Sequence, residues 1–105
     1  IMRQHTTRIM KMDRNNRTVL MRALYAGFCA NREAGLPYGN LAALITKLHE
    51  ARPGKLPLDD GEFRLARNAL NHYRNERIAT GGYTDAADAA LVKLIKAKPP
   101  VWPFG

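Results

Sequence analysis

The sequence predicts an all-α protein: a compact bundle of about four helices, preceded by a basic N-terminal arm and followed by a Pro/aromatic tail. Three observations support this. Apolar residues recur at helical spacing in four blocks, and capping residues or Gly/Pro punctuation bound each block. No run shows the apolar–polar alternation of a half-buried strand. The expected organisation is an arm over 1–12, one helical domain over 13–98 and a tail over 99–105. No internal repeat is evident.

The first block spans about Arg14 to Ala34. Leu20, Leu24 and Phe28 fall four residues apart, with Met21 and Tyr25 beside them, forming one apolar stripe. Asp13 is placed to cap its start, with Thr18 as the cap of a shorter helix. Gly35 followed by Leu36 has the form of a glycine C-cap, and Pro37 bars continuation.

The second block reads NLAALITKLHEARPG. Asn40 is the candidate cap, and Leu41, Leu44, Ile45 and Leu48 follow the i, i+3, i+4, i+7 pattern. Pro53-Gly54 ends it, and PGKLPLDD then reads as a loop whose leucines fold back onto the core.

The third block carries the sharpest start signal. Asp59 at the N-cap places Glu62 at N3, a capping box, and Leu58 with Phe63 at the positions of a hydrophobic staple. Gly81-Gly82 stops a helix of about 20 residues, roughly 30 Å long. In the fourth block, TDAADAALVKLIKAKPP, Thr84 caps. Asp85 and Asp88 precede Lys93, Lys96 and Lys98, the order a helix dipole favours. Ala87, Ala90, Leu91, Leu94 and Ile95 form its buried stripe, and Pro99-Pro100 terminates it.

A chain of 105 residues with 46% hydrophobic and 25% charged content is an ordinary single globular domain. One cysteine, Cys29, cannot make an intrachain disulfide, and it lies on the apolar side of its helix, where an inert buried thiol is expected. No run approaches the length of a membrane span, and no secretory signal is visible. A cytoplasmic location is the expectation, with no membrane partner.

Charge gives the first functional direction. Seventeen Lys+Arg against nine Asp+Glu leave +8 and a pI near 10.2, which favours polyanionic partners. Arg3, Arg8, Lys11, Arg14 and Arg17 are opposed only by Asp13 over the first seventeen residues. On the third helix, Arg64, Arg67, Asn68, Asn71, Arg74 and Asn75 gather within an arc of roughly 120°, opposite the apolar arc of Phe63, Ala66, Leu70 and Tyr73. Arg grips phosphates and guanine, and Asn pairs with adenine, so the face has the chemistry of nucleic-acid recognition.

The expected function is therefore a non-enzymatic, regulatory nucleic-acid-binding protein for DNA or RNA. The alternative is an inhibitor or adaptor of the phage or mobile-element type, docking on an acidic protein surface. Trp102 and Phe104 in the tail either close the core or anchor a partner, a homodimer included. Helix-turn-helix pairing is weakly supported, because the linkers exceed its usual turn. His72 and Glu76 stand at i, i+4 but lack further ligands, so no metal is expected. No catalytic motif and no cofactor cradle appear.

Overall fold

The computed structural model describes residues 7–51 and 54–98. Its elements run β1 (Arg8–Met12), α1 (Arg14–Ala34), α2 (Gly39–Glu50), β2 (Gly54–Leu58), α3 (Asp60–Ala79) and α4 (Asp85–Ile95). The four expected helices are present. The two strands correct the expectation that strands are absent, and β1 occupies the last five residues of the stretch expected as a free arm.

Both strands do alternate, over five residues each. Met10, Met12, Leu56 and Leu58 turn inward, while Lys11, Lys55 and Pro57 stay exposed. They pair antiparallel, with Arg8 opposite Leu58, Met10 opposite Leu56 and Met12 opposite Gly54. Pro57 is tolerated opposite Ile9 because the Ile9 N–H points the other way, donating to the Lys98 carbonyl at 2.9 Å. That bond lays the chain after α4 against the outer edge of β1.

The helix termini follow local chemistry. At α1 the Asn16 N–H donates to Asp13 Oδ1 at 2.7 Å and the Asp13 N–H to Asn16 Oδ1 at 3.0 Å. At α3 Asp59 and Glu62 exchange the same two bonds at 2.7 and 2.9 Å. Gly35 and Gly81 adopt φ of 73° and 76°, the left-handed conformation that closes a Schellman motif. The bonds from Leu36 N–H to Asn31 O and from Gly82 N–H to Arg77 O complete the two motifs.

Several local expectations change. α2 begins at Gly39 with Tyr38 at the N-cap, so Asn40 sits inside the first turn and does not cap. Thr84 holds the N-cap of α4, but its hydroxyl donates to Asp88 Oδ2 rather than accepting from the backbone. α4 ends at Ile95, which is 67% exposed, leaving Lys96 and Lys98 beyond the helix. On α1 the core side is built from Val19, Leu20, Ala23 and Leu24, and Tyr25 turns out to solvent. Cys29 is half-buried. Since β2 separates α2 from α3, those two do not form a helix-turn-helix.

One further correction reorganises the fold. Every element recurs at an offset of 46 residues: β1 and β2 start at Arg8 and Gly54, α1 and α3 at Arg14 and Asp60, and α2 and α4 at Gly39 and Asp85. The capping aspartates Asp13 and Asp59 and the left-handed Gly35 and Gly81 keep the same offset. So do the buried pairs Met10/Leu56, Leu24/Leu70 and Leu48/Leu94. The chain is thus two strand–helix–helix units that share one ribbon and one core. Sequence identity alone hides the repeat, because only nine of its 46 aligned positions are identical. Several buried mates differ in size, such as Leu20/Ala66 and Leu44/Ala90, so large side chains in one unit accompany small ones in the other.

Candidate nucleic-acid interface

The expected basic surface divides into residues held by the fold and residues left free. Arg64, Arg67, Asn68, Asn71 and Asn75 are exposed along α3, and no hydrogen bond or ion pair engages their side chains among the described residues. The opposite side of the helix explains their orientation. Ala66, Ala69 and Leu70 are buried, with Phe63, Leu65 and Tyr73 packed against them. Arg64 and Asn68 also line a cleft closed on its far side by Asn40 and Ala43 of α2.

Arg74 departs from this group. It is half-buried, and its Nε donates to Asp88 Oδ1 on α4. That bond, followed by the one from the Thr84 hydroxyl, holds the Asp88 carboxyl below its ordinary range. Arg74 therefore fastens α3 to α4. Glu62, at the start of α3, is likewise occupied by Lys47 Nζ at 2.7 Å.

The arm residues also separate. Arg17 is a structural side chain: its Nη2 donates to the Leu48 and His49 carbonyls, each at 3.0 Å. It thereby gives the His49 carbonyl a donor and the Leu48 carbonyl, which also accepts from the Ala51 N–H at 3.3 Å, a second one, while its Nε is buried without a partner among the described residues. Arg8 lies 4.4 Å from the Phe63 ring centroid, a cation–π contact that ties β1 to α3. Lys11 and Arg14 are exposed. Arg3, Trp102 and Phe104 lie outside the described residues.

Two features were not anticipated. Lys55 sits directly opposite Lys11 on the outward side of the ribbon, where like charges raise the local positive potential. Only the strand register reveals that pairing. The second is a group of rings, Tyr25, Phe28 and Tyr38, toward the turn of the α1–α2 hairpin. His72 and Glu76 form an exposed pair at 3.6 Å, and no group of three or more potential metal ligands occurs among the described residues.

Among the described residues no helix is long and apolar enough to cross a membrane. Comparison with family models, curated proteins and solved structures finds no match for this chain.

Proposed function

We propose that this protein binds nucleic acid and acts without catalysis. The observation that supports this reading is the face of α3 from Arg64 to Asn75, unpaired among the described residues apart from Arg74 and with no acid between those two positions. Asp60, one turn before Arg64, is the acid on the same face. The fold engages Arg8, Arg17 and Arg74, yet leaves Arg64 and Arg67 free in one line with Asn68, Asn71 and Asn75. Guanidinium groups grip phosphates, and the amides between them add hydrogen bonds to base edges or sugar. Lys11, Arg14 and Lys55 add charge at the ribbon and the start of α1.

A mobility-shift titration at low salt tests the reading. The wild-type chain is expected to bind DNA or RNA, and the triple change Arg64→Ala, Arg67→Ala, Asn68→Ala is expected to abolish the shift with helical content intact. Failure of the wild-type chain to bind any nucleic acid, together with nuclease-insensitive capture of one acidic protein, would replace this reading with the inhibitor or adaptor.

A further inference from the structure

Tyr25 and Phe28, one turn apart on α1, stack with centroids 6.1 Å apart and planes at 24°. Phe28 then meets Tyr38, at the start of α2, edge-on at 5.1 Å. Tyr25 remains 59% exposed and Tyr38 41%. Single exposed apolar residues are ordinary on a protein surface, but three contiguous rings drawn from two elements are a patch.

The second half of the chain shows that the fold does not need these rings. At the 46-residue offset, Tyr25, Phe28 and Tyr38 become Asn71, Arg74 and Thr84. There the helix hairpin closes through polar groups, with Arg74 and Thr84 both on Asp88. The two halves are comparable in three dimensions as well as in sequence. The cleft lined by Asp59, Gly61, Glu62, Arg64, Leu65 and Asn68 recurs residue for residue along the first turns of α1, from Asp13 to Arg22. Its opposite wall changes from Asn40 and Ala43 to Ala86 and Ala89, which keep the same offset. One scaffold thus carries two different surfaces: the contiguous set of three rings belongs to the first half, while the second half has Tyr83 at its turn, 86% exposed and in no ring pair among the described residues.

The surroundings of the rings are cationic. Arg22 lies one turn before Tyr25 and Arg32 one turn after Phe28, and both are exposed. α1 contains no acid before Glu33, and the acid of α2 is Glu50 at its far end. Exposed ring faces beside guanidinium groups suit unpaired bases joined by phosphates. A duplex keeps the faces of its bases stacked inside.

We propose that Tyr25, Phe28 and Tyr38 form a base-stacking platform, and that the nucleic acid this protein takes is single-stranded. The proposal rests on the nucleic-acid reading above and specifies its ligand. Stacking tolerates any base, so recognition at this platform is of strand state rather than of sequence.

Fluorescence anisotropy with a labelled 12-nucleotide thymidine strand, and with the same strand annealed to its complement, tests it. The wild-type chain is expected to bind the single strand at least tenfold more tightly than the duplex. Tyr25→Ala and Tyr38→Ala are each expected to weaken single-strand binding about 5- to 150-fold, the range for loss of one stacked base. Tyr25→Phe retains binding, whereas Tyr25→Leu, which keeps apolar bulk without a flat ring face, loses it. The dependence on salt stays unchanged in all four variants, because no charge is removed. Circular dichroism separates these losses from unfolding. Equal wild-type affinity for strand and duplex, or Tyr25→Leu binding as wild type does, overturns the platform while leaving the α3 reading in place. Absence of wild-type binding to either probe overturns the platform, and the same absence with single- and double-stranded RNA overturns the α3 reading as well.

Discussion

Met10 and Leu56 face each other across the ribbon, and they are also the same position of the repeated unit. A pseudo-two-fold axis therefore passes between them. Each strand fills the role that a partner subunit's strand fills in a two-fold dimer, where one surface patch meets its own copy. Both side chains are fully buried. The ribbon thus joins the two cores into one and fixes how the units are placed.

Paired core substitutions test whether the units are energetically one body. Leu24→Ala and Leu70→Ala remove fully buried mates, one from each unit. Each is expected to cost about 2–5 kcal/mol. Chemical denaturation followed by helical signal should still show a single transition in both variants. Two separated transitions would mean that the units unfold independently.

Arg17 separates structural from ligand-binding charge. Arg17→Ala removes two hydrogen bonds to the end of α2, with an expected loss of about 1–3 kcal/mol in stability. Nucleic-acid affinity, measured well below the melting temperature, should change little. A large loss of affinity at unchanged stability would return Arg17 to the binding surface.

Salt dependence counts the phosphate contacts on α3. Changing Arg64 or Arg67 to Ala is expected to flatten the slope of log affinity against log salt by about 0.7 for a single strand. Arg74→Ala should leave that slope alone and lower the melting temperature instead, since its guanidinium is taken by Asp88. An unchanged slope for Arg64→Ala would show that its side chain meets no phosphate.

The Arg74–Asp88 contact also gives a pH signature. Asp88 has a folded-state pKa below the ordinary 3.8, so its contribution is present above that value and is lost as pH falls through the lowered one. Wild type is therefore expected to exceed Asp88→Asn in thermal stability at pH 6, and the two should converge in acid below pH 3.8. A difference that persisted unchanged into acid would place the stabilisation elsewhere.

The sequence shows features that depend on near neighbours. Asp13 and Asp59 with their N3 partners, and Gly35 and Gly81 beyond the helix ends, mark α1 and α3 because capping acts within a few residues. The strands did not show because five residues provide only two turns of alternation, and Pro57 argues against a strand unless its partner's N–H direction is known. The α3 face was legible as an arc, but Arg74 within it looked like its neighbours until α4 brought Asp88 alongside. Arg17 resembles a free cation in the sequence for the same reason: its carbonyl partners are 31 and 32 residues away.

Because β1 and β2 belong to one chain, their pairing normally closes within the molecule and is independent of protein concentration. Yet the same register can form between β1 of one chain and β2 of another, with every contact in the core preserved. The strand–helix–helix units of two molecules then exchange places. Domain swapping is thus an assembly route inherent in the duplicated architecture. Refolding at high concentration should trap swapped dimers that separate only by unfolding, while dilute refolding should return the closed monomer.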